Sequence, residues 1–310
     1  MEIAGADKGI IAIKKKHRET IEKLDELLKD DPDIERHLLP DIYPMGEERA
    51  VVRECLGIEL EPDKLPSAAN AVVINSETVY SCVSAIEDQK PLIDKNVTVR
   101  GMIKGGSEAH VFENVPVGTS VQALIERAGG FDERGYGEII MGGAFTGKST
   151  TLDAPITKAT GAILVTREFR DLHGAKVGIL VCACGGNLER MQELVKKYNG
   201  TEACVCYCKQ AQEMPNGTRK CERPGNCPGQ VKNNLDFKKA GCEYIIIGNC
   251  SDCSNTVMAS GPKMGLKVMH MTDLAMMAVG HPLYRTLKVS KKVDQDLNVV
   301  DNVEDNETVQ

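Results

Sequence analysis

Val177–Asn187 reads VGILVCACGGN, and Ile245–Asn255 reads IIIGNCSDCSN. In each, a run of β-branched and aliphatic residues passes directly into cysteines and then into a helix-forming stretch. A strand that feeds a helix in this way belongs to an open α/β sheet, which builds its sites at the carboxyl ends of its strands. The helix that follows turns its unpaired N–H groups and the positive end of its dipole toward that edge. Such a field favours thiolate over thiol and can lower a cysteine pKa from about 8.5 to about 7 or below. The two stretches set the fold class as α/β and mark the C-terminal third as a redox unit.

Working outward, strands are expected at 176–182, 202–206, 243–248 and 266–270, with helices at 188–198, 228–240, 254–260 and 272–279. Toward the N-terminus, Gly9–Lys14 and Glu35–Tyr43 read as strands around an amphipathic helix, His17–Asp30, with Ile21, Leu24, Leu27 and Leu28 on one side. Glu47–Leu56 reads as a helix stopped by Gly57. Pro62–Ala69 is a loop, Asn70–Asn75 a strand, and Ser76–Glu87 a helix with Ser76 as its cap. This alternation implies parallel βαβ units. The pattern changes near Pro91. Val97–Ile103 and His110–Val115 read as paired strands followed by the helix Thr119–Ala128, a small β-grasp-like unit. Gly137–Met141 and Thr160–Thr166 are further strands, and charged Arg167–Gly174 reads as a linker. The expected division is an α/β segment at 1–95, a β-grasp unit with its following strands at 96–170, a cysteine-rich α/β redox domain at 171–290, and a disordered acidic tail at 291–310.

Of the 310 residues 42% are hydrophobic, none is Trp, and the net charge is −7. A core of Val, Ile, Leu, Ala and Met suits a chain of this length. Without a basic block, neither nucleic acid nor an anionic membrane surface is an expected partner. No apolar run of about 18 residues is present to span a membrane. The opening MEIAGADKGIIAIKKK has no basic stretch followed by an apolar one, so no secretion signal is expected. The expected location is cytoplasmic, or peripheral to a membrane complex.

Twelve cysteines in such a chain read as metal ligands or redox thiols, not as a disulfide framework. Cys55 and Cys82 sit in helical patterns and are expected to be buried small hydrophobes; the others all follow residue 180. Strand spacing would put Cys182 and Cys184 on one face, and likewise Cys204, Cys206 and Cys208. Cys221 and Cys227 flank Pro224 and Gly225, and loops of that composition wrap iron–sulfur clusters. Zinc could use the same sulfurs, although the paired C-x-x-C frame is absent, and buried bystander thiols are the third reading. Cys250 and Cys253 form C-x-x-C at a strand end. That suits an attacking thiolate with a resolving thiol, and equally half of a metal site. His270 ends a strand and is expected to be structural, with a proton donor as the alternative reading. Gly142–Ser149, GGAFTGKS, matches the phosphate-loop pattern, but Thr150, Thr151 and Pro155 make a poor first helix, so a glycine turn between strands is expected.

GIIAIKKKH, DIYPMGEERAVV, LPSAANAVVINSETV, the segment from VTVRG to IERAGG, EIIMGGAFTGK and DAPITKATGAILV resemble the middle of the RnfC family. These are peripheral subunits of the Rnf electron-transfer complex and relatives of the flavin-carrying, NADH-oxidising subunit of complex I. The resemblance implies an RnfC-like α/β segment followed by an SLBB β-grasp. The family's ferredoxin-like C-x-x-C-x-x-C ligands are absent. VCACGGN, CERPGNCPGQ, GNCSDCSNTVM and GHPLYR instead resemble the C-terminal part of PrdC-type electron-transfer proteins, which are associated with D-proline reductase. VCACGGN and the Cys-Pro-Gly-Gln stretch are also similar to the cluster-bearing N-terminal domain of HdrA-type heterodisulfide reductase proteins.

The resemblance implies an electron-transfer protein that passes reducing equivalents from an NADH/flavin donor to a reductase of the proline or glycine type. Cys182, Cys184, Cys208, Cys221 and Cys227 would hold an iron–sulfur cluster of the 4Fe–4S kind, with Cys250 and Cys253 as the exchanging dithiol. In relatives the position matching Cys253 can be selenocysteine, which supports a redox role there. Gly46 and Glu47 match a family segment near the flavin, but the family's glycine-rich flavin/NADH loop lies upstream of the region matched here. FMN and NADH are therefore expected only if an upstream segment or a partner chain supplies that loop, and this chain alone is not expected to oxidise NADH. The alternative from a different class is a non-catalytic RnfC-like docking subunit with a structural zinc site.

Overall fold

The computed structural model describes residues 5–105, 108–184, 186–248, 256–281 and 283. The fold is α/β, as expected, with its described strands gathered into four sheets. The C-terminal sheet holds β8 (Lys176–Val181), β9 (Thr201–Tyr207), β12 (Tyr244–Ile247) and β13 (Lys267–His270), all parallel and in the order β13-β12-β8-β9. Helices α5 (Leu188–Lys197) and α7 (Asp273–Ala278) cover one face, and α6 (Val231–Lys239) covers the other. Side chains alternate along β8 with the period of a strand: Val177, Ile179 and Val181 pack toward α5, whereas Leu180 packs toward α6. Gly178 has no side chain because a Cβ there would lie 2.4 Å from the ring of Phe237, the fully buried anchor of α6.

The middle sheet is mixed. It contains β3 (Asp94–Gly101), β4 (His110–Pro116), β5 (Ile139–Met141), β6 (Lys148–Thr150) and β7 (Ala162–Val165), in the order β4-β3-β7-β5-β6. Helix α4 (Val121–Arg127), capped by Ser120, contributes Val121, Leu124 and Ile125 to a core with Val97, Val99, Ile139, Ile163 and Val165. At the N-terminus β1 (Gly9–Lys14) and β2 (Ile34–Leu39) pair in parallel, joined through α1 (Arg18–Leu27). Then come α2 (Glu48–Leu56), which ends at Gly57 in the left-handed conformation, and α3 (Ser76–Glu87).

The middle and C-terminal sheets are joined by a buried ion-pair group. Arg190 of α5 engages both carboxylate oxygens of Glu138, and Lys197 Nζ lies 2.6 Å from Glu138 Oε2. A bidentate guanidinium–carboxylate pair of this kind fixes orientation as well as distance.

Several expectations are corrected. Asn70–Asn75 is not a strand; Val72 and Ile74 are exposed, so the short apolar run there does not mark burial in a sheet. Pro66–Ala69 is a short 3₁₀ turn, and α3 is capped by Asn75 rather than Ser76, because the Asn75 side chain accepts from Glu77 N–H. Cys55 is only half-buried and Cys82 is exposed. The stretch read as a linker contains Leu172, which is buried in the C-terminal core. The antiparallel hairpin of β10 (Ala211–Glu213) and β11 (Arg219–Cys221) carries no clear sequence period and was not anticipated. Of the helix expected at 254–260, residues 256–258 are helical and 254–255 lie outside the described residues, as does the tail at 291–310.

Candidate functional site

β8 and β9 run in parallel with Val181 opposite Tyr207, so Cys182 and Cys208 leave neighbouring strands at the same level. Cys208 N–H donates to Val181 O at 2.9 Å, which fixes that exit. Cys182, Cys208 and Ala211 form a buried group, against which Cys184, Cys227, Ala183 and Tyr43 pack. The side chain of Gln230, 1% exposed, ties two of these sulfurs together: Nε2 lies 3.4 Å from both Cys208 Sγ and Cys227 Sγ. Gly229 N–H also points at Cys227 Sγ at 3.4 Å, and Thr256 Oγ1 lies 3.1 Å from it. Asn233 Nδ2 donates to Gln230 Oε1 at 2.7 Å and so orients the amide with its NH₂ toward the sulfurs. N–H groups aimed at sulfur stabilise its negative charge and favour the thiolate that binds metals.

Four of the five cysteines expected as ligands are therefore gathered at one sheet edge. Cys221 stands beside this group rather than within it. It is buried at the end of β11, opposite Ala211, and its thiol points at Gln210 Oε1 at 3.8 Å. Among the described residues no set of three His, Cys, Asp or Glu side chains is close enough to hold a metal ion as it stands. The donor chemistry nonetheless fits a thiolate-bound iron or zinc centre: soft sulfurs, burial, and amide donors aimed at them. Cys250 and Cys253 lie outside the described residues. Gly186 and Gly248 meet so closely that a Cβ on Gly248 would lie 2.6 Å from Gly186 Cα, which brings the exits of β8 and β12 together.

Cys204 and Cys206 do not join this edge. They lie within β9 and pack on the α6 side with Cys242, their sulfurs 3.8 Å apart, whereas Cys208 falls after the strand ends and turns to Cys182. Three cysteines at alternate positions share a face only while the strand continues. Burial first, and the neighbouring Cys204 second, push the Cys206 thiol up to about 12. Burial likewise raises Cys242, with Cys204 as the next cause. Such thiols keep their protons at neutral pH, unlike metal ligands.

The stretch Tyr43–Arg53 docks onto this region. Arg49 Nη2 donates to Cys221 O at 2.8 Å, and Arg53 Nη1 donates to Pro224 O at 2.9 Å. Gly225, at φ +86°, sits where a Cβ would come within 2.5 Å of Met45 Cε. Tyr43 stacks on Phe145, ring centroids 3.7 Å apart, and Phe145 meets His270 edge-on at 5.4 Å. His270 is buried, with Nδ1 2.9 Å from Thr272 Oγ1, which suits the structural role expected of it. Glu47 uses both carboxylate oxygens on its own helix, one on Ala50 N–H and one on Arg49 Nε, so the structure gives it a capping task. Gly46 is exposed, and a Cβ there would meet nothing within 4 Å. These two residues alone do not make a flavin cradle. The phosphate-loop match is a turn between β5 and β6, with Lys148 paired opposite Met141 in the strand, so the N-terminal helix site that phosphate binding needs is missing there.

Sequence reasoning missed Gln230, Tyr43 and Arg49. Gln230 was readable in part, because it directly follows the Cys-Pro-Gly run of Cys227–Gly229. The other two act across more than a hundred residues of chain, a separation that no local pattern reports.

The family model of the Nuo51 FMN-binding domain matches residues 1–84. Cobalamin reductase PduS of Salmonella typhimurium is 36% identical over 172 residues, which cover 56% of this chain and 37% of that protein. The C subunit of the proton-translocating ferredoxin:NAD(+) oxidoreductase complex of Clostridium ljungdahlii is 30% identical over 165 residues, 53% of this chain and 35% of that one. The C subunit of the ion-translocating oxidoreductase complex of Yersinia enterocolitica is 30% identical over 188 residues, 58% of this chain and 26% of that one. The chain is homologous to RnfC-type subunits and to cobalamin reductase PduS. It spans between about a fifth and a little over a third of the length of the curated relatives it matches. No helix among the described residues is long and apolar enough to cross a membrane.

Proposed function

We propose that this chain is an electron-transfer subunit that carries reducing equivalents from an NADH/flavin donor to a reductase of the D-proline or glycine type. Its units would be the RnfC-like segment at 1–95, the SLBB β-grasp with its following strands at 96–170, and the cysteine-rich redox domain at 171–290. The observation that carries this reading is the gathering of Cys182, Cys184, Cys208 and Cys227 at one sheet edge, with the Gln230 amide bridging two of the sulfurs. Homology to oxidoreductase subunits supports the same class of chemistry.

In this reading Cys182, Cys184, Cys208 and Cys227, with Cys221 alongside, hold an iron–sulfur cluster. When bound, the cluster supplies one-electron transfer. The chain's own part is to keep the ligand sulfurs ionised through N–H donors and to exclude water by packing Tyr43 and Ala211 over them. FMN and NADH belong to the donor, whether an upstream segment or a separate partner chain.

Delivery to the acceptor falls to Cys250 and Cys253. The Cys253 thiolate attacks a disulfide of the partner reductase and displaces one partner thiolate, leaving a mixed disulfide. Cys250 then attacks Cys253 Sγ and releases the second partner thiolate, so two electrons pass to the partner and a Cys250–Cys253 disulfide remains. Two electrons from the donor and two protons restore the dithiol. The test is trapping with the partner. Cys250→Ser should accumulate the mixed disulfide, and Cys253→Ser should abolish transfer while leaving any cluster spectrum intact. Loss of iron in either variant would make the pair ligands and sink the relay.

A second reading, a docking subunit with structural zinc, draws on the same sulfur donors. Cys184→Ser would release zinc without altering electron transfer if that reading were right.

A further inference from the structure

Cys204 and Cys206 take no part in the centre proposed above, yet they are held together on their own. They occupy alternate positions of β9, both half-buried, with Sγ atoms 3.8 Å apart. We propose that Cys204 and Cys206 form a second reversible dithiol/disulfide site, which exchanges with low-molecular-weight disulfides independently of Cys250 and Cys253. The inference does not depend on the electron-transfer reading.

Geometry permits the bond at some cost. Two residues of strand separate their Cα atoms by about 6.6–6.8 Å, at the upper end of the roughly 4.4–6.8 Å that disulfides span. The sulfurs must close from 3.8 Å to about 2.0 Å, so the strand has to pucker. β9 is placed to do so. It is the edge strand, bonded to β8 alone in its sheet, and its register with β8 slips just before Cys204, leaving Ala203 as an extra residue. A strained, partly exposed disulfide is readily reduced, which makes the pair reversible rather than a permanent staple. Cys206 lies two residues before Cys208, so the site sits immediately beside the cysteine group at the sheet edge.

The chemistry balances within named reactants. One of the two sulfurs, as thiolate, attacks glutathione disulfide and displaces one glutathione thiolate. The other sulfur attacks the mixed disulfide, forms the Cys204–Cys206 bond and displaces the second glutathione thiolate. The chain loses two electrons and two protons, and one glutathione disulfide becomes two glutathiones.

The test uses the full chain, purified anaerobically and reduced, then equilibrated at graded ratios of oxidised to reduced glutathione. After acid quenching and alkylation, trypsin releases residues 198–209, YNGTEACVCYCK, which carry Cys204, Cys206 and Cys208. As the oxidised form rises, this peptide should lose two of its three alkylatable thiols, with fragmentation placing the bond between Cys204 and Cys206. Excess reduced glutathione should restore all of them. Burial of the thiols slows the approach to equilibrium without moving its end point. Cys204→Ser should abolish the bond, and Cys242→Ser should leave it. A bond from Cys206 to Cys208, a bond from either cysteine to Cys242, a lasting glutathione adduct, or full alkylation at the most oxidising ratio would each overturn the proposal. These outcomes are read on the unsubstituted chain and so do not depend on how well a variant folds.

Discussion

Replacing Gln230 with Leu separates a working metal-ligand shell from a merely buried amide. The substitution keeps a side chain of similar volume in a site that is 1% exposed, and it costs no helix cap, because the Gln230 side chain does not cap α6. It removes the two N–H···S contacts at 3.4 Å, to Cys208 and Cys227, and the acceptor of Asn233 at 2.7 Å. At about 0.5–1.5 kcal/mol for each bond between neutral groups, the metal-free chain should lose roughly 2–4 kcal/mol of stability. If the two sulfurs are metal-bound thiolates, each donor is worth about 1.5–3 kcal/mol, so the loaded state suffers more than the empty one. Loss of a partner of this kind lowers metal affinity by about 10–100-fold. Urea unfolding of the metal-free chain followed by far-ultraviolet dichroism gives the first quantity. Competition with an iron chelator under anaerobic conditions gives the second. A stability loss in the predicted range with unchanged metal retention would show that Gln230 packs against thiols that hold nothing.

Arg190→Met leaves Glu138 buried with Lys197 as its remaining cation; breaking a buried pair costs about 3–5 kcal/mol, and Lys197 should hold the loss to about 2–3 kcal/mol in chemical denaturation. Adding Glu138→Gln should recover part of that loss, and a variant as stable as the parent would refute the clamp between the two sheets. Gly186→Ala drives a Cβ to 2.9 Å from Gly248 Cα, so it should cost about 1–3 kcal/mol by overpacking and open the exits of β8 and β12; undiminished thermal stability would mean that the backbones are not in contact. Cys206, pushed up to about 12, keeps its proton in the folded chain at pH values where an unfolded thiol, near 8.5, has lost it. Folding stability from this residue is therefore fully present below about 8.5 and declines as pH rises toward 12. Cys206→Ala should flatten that part of the stability profile, and an identical profile would contradict the shift.

Where hydrophobic period and turn chemistry agreed, local sequence located the elements closely. Gly9–Lys14 is a strand with the bounds read for it, Ser76–Glu87 is a helix, and Gly57 stops α2 in the left-handed conformation that glycine tolerates. The short apolar run at Asn70–Asn75 misled because such a run forms a strand only where another element pairs with it and covers it, and Val72 is almost fully exposed. At the site, Cys182 was legible as a residue at a strand end. That Cys208 would leave the face shared by Cys204 and Cys206 was not, because it depends on where β9 stops, and strand ends are set by the neighbouring β8. The contacts that organise the site from afar were invisible for the same reason. Arg49 reaches Cys221 O, and Tyr43 packs against Cys182 and Cys208, through tertiary packing alone.

Metal content is the most direct test of the cysteine centre at the ends of β8 and β9. The full chain should be purified anaerobically, assayed for iron, acid-labile sulfide and zinc, and compared with Cys182→Ser and Cys227→Ser. Iron and sulfide in a fixed ratio to protein are expected, with a broad visible absorption that dithionite bleaches and that both variants lose. Tight zinc without iron or sulfide, or iron and sulfide undiminished in both variants, would contradict the assignment of these cysteines to an iron–sulfur centre.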